Sequence, residues 1–337
     1  MKAAVMGSGA WGTAFAMVLA DAGNSATIWC RDQAMADGIT HQRRNTAYHP
    51  DIQLPDDVHA SARTEDALAQ ADLVVLAVPA QVLRENLQRW GTQIPSSALV
   101  ISLIKGIELG TTQRMSEVIA DVGGIDPARI AVLSGPNLAT EIAERQPTAT
   151  TIACTNEDAA CALQEVCTTD YFRPYRTVDV VGTEVGGAVK NVIALANGIA
   201  VGMGLGENSQ ASLMTRGLAE MARLGVALGA DPLTFQGLAG VGDLVATCQS
   251  PLSRNRSFGE NLGRGLTVDQ TIAVTKQTCE GYKSCQPILK LAQDHDVEMP
   301  ITEQVVEVLH RGKSPRTLAS AFMSRDPKRE TVLAEQD

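Results

Sequence analysis

Residues 2–12 read KAAVMGSGAWG, a short apolar run followed at once by glycines at 7, 9 and 12, with TAFAMVLADAG after them. KAAVM reads as a strand and TAFAMVLADAG as a helix, so the glycines occupy a strand–turn–helix junction spaced G-x-G-x-x-G. Each glycine then has its own task. Gly7 permits the tight turn, Gly9 lets the backbone approach a pyrophosphate, and Gly12 lets the helix pack closely on the strand. The unpaired N–H groups of the helix start complete a phosphate site. Glycine clusters also occur in plain turns; the flanking strand and helix favour a dinucleotide site.

The same alternation continues outward. ATIWC (26–30), DLVVLAVP (72–79), ALVISLI (98–104) and IAVLSGP (130–136) are short, β-branched and bounded by Gly, Pro or Asp, and helical patterns fill 13–22, 80–90 and 112–122. This predicts an α/β Rossmann-type parallel sheet with helices on both faces. Past about residue 180 the strand signal stops, and 183–322 reads as helices broken by glycine-rich turns. A chain of 337 residues exceeds what one core usually serves. The expected domains are therefore 1–180, binding a dinucleotide, and 181–337, all-α and carrying substrate and catalytic groups.

Composition narrows the partners. Aromatics at 4% and a net charge of -10 argue against a nucleic-acid surface. A small anion needs only a local group of donors. The N-terminus reaches its glycines too early for a signal-peptide core. Residues 192–206 are short for a membrane span and read as a buried core helix. Seven cysteines without a C-x-x-C pair fit free thiols in a reducing cytoplasm and make a zinc site unexpected.

Several polar residues sit where ligands bind. After the second strand come Cys30, Arg31 and Asp32; an NAD-selective site usually shows an acid here, whereas Arg31 suits a 2′-phosphate or a solvated loop. Lys105 and the loop SGPNLA (134–139) follow two further strands, at the edge of the sheet where such folds bind ligands. Asn137 is expected to open a helix. Lys190 lies inside the apolar stretch GGAVKNVIALANG (186–198), on one helix face with Ala194 and Asn197. A buried ammonium without a partner is costly. Either a carboxylate such as Asp243 meets it, or burial keeps an amine ready for proton transfer. Asp243 stands alone in GLAGVGDLVATC (237–248), and SRNR (253–256) gathers Arg254, Asn255 and Arg256 in a short span.

Taken in order, GSGAWGTA, LIKGIE, SGPNLA, GGAVKNVIALANG, TRGLAEMARLGVALGADP, GVGDLVATC, SRNRSFG, EGY and VEMPITE resemble bacterial NAD(P)-dependent glycerol-3-phosphate dehydrogenases, from residue 1 to about 322. The resemblance implies oxidation of sn-glycerol 3-phosphate to dihydroxyacetone phosphate, mainly run in reverse to feed glycerophospholipid synthesis. It implies Lys190 as proton acceptor and donor. Lys105, Gly135, Asn137, Asn191, Asp243, Ser253, Arg254 and Asn255 would contact substrate. Gly7, Gly9, Ala10, Trp11, Gly12, Arg31, Lys105, Ala139, Arg254, Thr278 and Glu280 would contact NAD(P)(H), with NADP(H) favoured. Asn137 departs from the usual Thr or Ser, and KQTCEGY departs from the usual segment before the glutamate. No metal is implied, and a homodimer stays open. Two rivals share the domain order: a β-hydroxyacid-type dehydrogenase, which would lack SRNR, and a non-catalytic NADP sensor, which would not need Lys190, Asp243 and Arg254 together.

Overall fold

In the computed structural model, which describes residues 1–275 and 279–316, the chain divides into two compact units. Met1–Lys105 and Arg114–Thr183 form the first; Gly106–Gln113 joins the chain from Glu184 onward in the second. The excursion of Gly106–Gln113 carries no signal in the sequence.

The first unit is an eight-stranded sheet. In chain order its strands are β1 (Lys2–Met6), β2 (Ser25–Trp29), β3 (Val58–Ser61), β4 (Leu73–Leu76), β5 (Leu99–Ser102), β6 (Ile130–Ser134), β7 (Thr148–Cys154) and β8 (Phe172–Thr177). They lie in the order β3-β2-β1-β4-β5-β6-β7-β8. The first six make the parallel 3-2-1-4-5-6 arrangement of doubly wound dinucleotide folds. Alternate residues feed two cores, as a sheet covered on both faces requires. Ala3 and Val5 of β1, with Leu73 and Val75 of β4, enter one core. Ala4, Met6, Val74 and Leu76 enter the other.

One pairing departs from the expected parallel sheet: β7 runs antiparallel to β6. The link between them holds only the five-residue helix Ala139–Ala143. Such a helix is about 7.5 Å long, too short to carry the chain back along a strand of about 16 Å. That helix is capped by Leu138 rather than opened by Asn137. β8 then pairs parallel with β7.

The second unit is helical. Its central helix, Val180–Gly202, is long and apolar enough to cross a membrane, yet 89% of its apolar window is buried inside the protein. Nearby helices carry their own buried charge. Glu220, on helix Glu207–Ala227, is 1% exposed and accepts hydrogen bonds from the amides of Ile301 at 2.6 Å and Thr302 at 3.3 Å. It thus satisfies orphan donors at the start of helix Pro300–His310.

Burial pushes the Glu220 carboxyl up to about 7, against the opposing pull of those amides. A carboxyl raised in the folded state lends stability below its ordinary range and loses it as pH climbs through about 7. Glu220→Gln keeps an acceptor oxygen and cannot ionise. Its melting temperature is expected to gain on the parent's between about pH 5 and about pH 8. Parallel melting curves across that window would refute the assignment.

Candidate active site

The glycine turn separates structural need from ligand need. Gly7 has φ +137°, and a Cβ there would sit 2.7 Å from the Ala77 carbonyl oxygen; one on Gly12 would meet the Gly7 oxygen at 2.1 Å. Both glycines are demanded by the fold itself. Gly9 is not, because a Cβ on it would meet nothing within 4 Å. Gly9 caps helix Ala10–Asp21 without a side-chain cap, and the first turn holds no acid. The turn's carbonyls are tied from behind. Asn45 donates to the Ser8 oxygen at 2.9 Å and to Thr13 Oγ1 at 2.8 Å, and His49 Nε2 donates to the Ala10 oxygen at 2.9 Å. With its oxygens occupied, the turn offers its N–H groups to an anion. Trp11 packs its ring edge-on to Phe15 at 5.5 Å, while its buried indole N–H has no partner. An open Gly9 and an unclaimed buried donor both fit a bound dinucleotide. Asn45 and His49 belong to no motif and were absent from the sequence reading; their polar character in a buried segment was the only available signal.

Arg31 is exposed just beyond β2. Its neighbour Asp32 accepts from the Ala34 amide at 2.7 Å and caps helix Gln33–Gln42. Across the sheet, Lys105 Nζ donates to the Gly135 carbonyl at 2.9 Å. The Asn137 amide donates to Thr150 Oγ1 at 3.0 Å, and that hydroxyl donates to the Ser134 carbonyl at 3.0 Å. Asn137 Oδ1 is buried without a partner. Ala139 is the first residue of the short helix that follows. Strand-end placement thus brings Lys105, Gly135 and Asn137 together.

In the second unit, Lys190 is 7% exposed, and it is not alone. Its Nζ lies 2.8 Å from Asp243 Oδ1 and donates to Thr247 Oγ1 at 2.6 Å. Thr247 in turn donates to Asp243 at 3.2 Å, closing a buried triangle. Of the two alternatives open in the sequence, the structure shows the carboxylate partner: Asp243 meets the buried ammonium, so the charge is not buried alone. Backbone shape brings the pair together. Asp243 opens helix Asp243–Gln249 after the π-helical turn Leu238–Gly242. A Cβ on Gly186 would meet the Ala239 oxygen at 2.4 Å. Lys190 and Asp243 stand four residues beyond that contact on their respective segments. Asn197, two turns after Lys190, donates to the Cys248 carbonyl at 3.0 Å, so one face of the central helix holds the Asp243 helix twice.

Asn191 Oδ1 accepts from Asn255 at 2.8 Å, and Asn255 Oδ1 accepts from the Gly281 amide at 2.8 Å. Ser253 caps helix Arg254–Gly263, accepting from the Arg256 amide at 3.3 Å. Arg256 pairs with Glu260 at 3.3 Å, whereas Arg254 reaches solvent. Within the expected donor group, Asn255 and Arg256 thus serve internal contacts, and Arg254 faces outward. Glu280 opens helix Glu280–Asp294. Thr278 lies outside the described residues. All seven cysteines are free, and burial pushes the thiols of Cys167, Cys248, Cys279 and Cys285 up to about 12, so they are poor nucleophiles. Among the described residues, no three His, Cys, Asp or Glu are grouped to hold a metal.

Two family models cover almost the whole chain. Residues 2–160 match the N-terminal part, and 179–320 the C-terminal part, of NAD-dependent glycerol-3-phosphate dehydrogenase. The chain belongs to this family. It is 58% identical over 330 residues to a glycerol-3-phosphate dehydrogenase of the NAD(P)+ type from Streptomyces griseus, covering 98% of each chain. A Mycobacterium bovis protein of the same name is 56% identical over 327 residues, covering 97% of this chain and 98% of that one. A solved glycerol-3-phosphate dehydrogenase from Coxiella burnetii superposes with a TM-score of 0.92 at 36% identity, covering 96% of this chain and 99% of the other. NAD(P) is the cofactor of this family.

Substitution can separate the two kinds of glycine. Gly9→Ala should melt like the parent while binding NADPH more weakly, because its Cβ points into open space. Gly12→Ala should cost about 1–3 kcal/mol of stability, as overpacking does. Thermal melts beside NADPH titrations check both. Intact NADPH affinity in Gly9→Ala would show that no ligand comes near this glycine.

Proposed function

We propose that Lys190 is the proton donor and acceptor of this NAD(P)-dependent oxidoreductase, which interconverts sn-glycerol 3-phosphate and dihydroxyacetone phosphate. The buried Lys190–Asp243–Thr247 triangle carries the reading. When bound, the nicotinamide supplies the hydride chemistry at the substrate's C2. This chain's own task is the proton. In ketone reduction, Lys190 Nζ gives a proton to the C2 oxygen as negative charge develops there; in the reverse direction it takes that proton back. Asp243 and Thr247 hold Nζ at one position, so little reorganisation is needed at the moment of transfer. Arg254, exposed at the start of its helix, is the proposed phosphate anchor, a planar fork suited to phosphate oxygens. Binding energy gathered there, away from the reacting carbon, orients it.

Lys105, Gly135, Asn137, Asn191, Ser253 and Asn255 complete the proposed substrate set. Ala10, Trp11, Arg31, Lys105, Ala139, Arg254 and Glu280 are the proposed cofactor contacts beside the glycines. The proposed physiological direction is reduction, supplying glycerol 3-phosphate for glycerophospholipid synthesis in the cytoplasm. Seven free thiols support a reducing compartment. A homodimer is the proposed assembly, to be tested by the mass of the protein in solution.

The test of Lys190 must respect its partner. Lys190→Met alone strands a buried carboxylate, a loss of about 3–5 kcal/mol. Lys190→Met with Asp243→Asn removes both charges and should fold and bind NADPH. Compared with Asp243→Asn alone, its kcat for dihydroxyacetone phosphate should fall by about 10²–10⁴-fold, the usual share of acid–base catalysis. Equal kcat in these two variants, with equal NADPH affinity, would reduce Lys190 to a packing residue. Arg254→Ala should lower kcat/KM for dihydroxyacetone phosphate but hardly change the slow turnover of unphosphorylated dihydroxyacetone. Equal losses with the two substrates would place the phosphate elsewhere.

A further inference from the structure

Directly after Lys190, Asn191 begins a second buried polar chain in the helical unit. Asn191, Asn255 and Cys279 are all buried, and each comes from a different element. Asn191 lies on the central helix, Asn255 on helix Arg254–Gly263, and Cys279 at the N-cap of helix Glu280–Asp294. The chain has a single direction. At one end the Gly281 amide, which can only donate, meets Asn255 at 2.8 Å, so the atom facing it is the oxygen Oδ1. The Asn255 amide nitrogen therefore turns to Asn191 and donates to its Oδ1 at 2.8 Å. At the other end the Gly187 carbonyl, which can only accept, takes the Asn191 amide at 3.2 Å. Flipping either asparagine would set donor against donor or acceptor against acceptor.

Cys279 adds a second lock on Asn255. Its Sγ donates to the same Oδ1 at 3.1 Å, so both lone pairs of that oxygen are taken inside the protein. Burial pushes the thiol up to about 12, so the sulfur keeps its proton and stays a donor through the neutral range. Gly281 is the second residue of its helix, and Asn255 thus caps that helix from another element. The approach is close: a Cβ on Gly281 would lie 2.5 Å from the Asn191 carbonyl oxygen and 3.0 Å from Asn255 Oδ1. With its oxygen occupied, Asn255 meets a ligand only as a donor, through the second N–H of its amide.

We propose that Cys279 is a positioning residue for the substrate: its thiol, with the Gly281 amide, fixes the Asn255 side chain so that its second N–H meets the phosphate that Arg254 anchors. The proposal rests on the reading of Asn255 as a substrate contact and adds the group that aims it. The last torsion of an asparagine is soft, and one hydrogen bond to Oδ1 leaves the amide plane room to swing. A second donor on the same oxygen, from a different direction, removes that freedom. Phosphate oxygens only accept, so an amide held with its N–H outward is ready before the substrate arrives.

Steady-state kinetics on the full chain, beside thermal melts, test this. Cys279→Ala removes the donor and should raise KM for dihydroxyacetone phosphate about threefold to tenfold, the scale of one neutral hydrogen bond. Its kcat and NADPH dissociation constant should stay close to the parent's, as when binding shared by ground and transition states is lost. Cys279→Ser keeps an O–H donor and should restore most of that KM. Turnover of unphosphorylated dihydroxyacetone should be alike in all three proteins. Asn255→Ala should raise KM further, and Cys279→Ala added to it should change nothing more. A residue of packing alone would lower the melting temperature of Cys279→Ala and leave KM in place, and that result overturns the proposal. A Ser variant no better than the Ala variant overturns it as well. An unaltered KM in Asn255→Ala would strike the substrate reading of Asn255 and the proposal with it. A raised KM there, beside a normal one in Cys279→Ala, strikes the proposal alone.

Discussion

The helical unit depends on how closely other backbones approach the helix Val180–Gly202. Several glycines set those distances, Gly186, Gly198 and Gly259 among them. A Cβ on Gly186 would lie 2.4 Å from the Ala239 oxygen, one on Gly198 would lie 2.0 Å from the Arg256 oxygen, and one on Gly259 would lie 2.0 Å from the Leu195 oxygen. No side chain larger than hydrogen survives such contacts without the helices parting. The first contact brings the Asp243 turn onto the Lys190 face. The other two press the Arg254 helix against the same rod. Removal of a small side chain is thus what places an acid beside a buried base and holds the exposed arginine at a fixed distance along the helix. Buried ion pairs tolerate little error, because stranding one partner costs about 3–5 kcal/mol. Geometry and electrostatics here are one constraint.

A similar economy operates at the glycine turn. Two of its three glycines answer to the protein's own packing, and the third answers to nothing in the protein. Asn45 and His49 add what the motif cannot show, since they occupy the turn's oxygens and leave its N–H groups unopposed. The helix start has no capping side chain and no first-turn acid, so its N–H groups are left open to an anion. In the proposed complex the cofactor phosphates would take the place of a capping side chain.

Legibility in the sequence followed burial. Strands β1, β4, β5 and β6 are covered on both faces and spell out unbroken apolar runs, so they were readable. VHAS, TATTIAC and FRPYRT were not. β3 and β8 are edge strands carrying polar or charged residues, and Pro174 argues against a strand unless an edge tolerates it. The threonines of β7 break up its apolar run, although Thr150 is fully buried and bonds both Ser134 and Asn137. In the site, local motifs surfaced readily, but partnership did not. Lys190 and Asp243 were each visible; their pairing depends on a backbone contact that no spacing rule encodes. Thr247 stands one turn after Asp243 and could have been found from that spacing, had the helix start been known.

The charge pattern draws these strands together. A chain of net charge -10 repels anionic ligands at a distance, so recognition has to be local and short-ranged. The protein achieves this by tying up its nearby acids. Asp32 is spent on a helix cap, Asp243 on Lys190, and Glu260 on Arg256. Arg31 in one unit and Arg254 in the other are exposed near the proposed ligand groups. An acid neutralised by an internal partner no longer opposes an incoming phosphate, and the internal partner gains order from it.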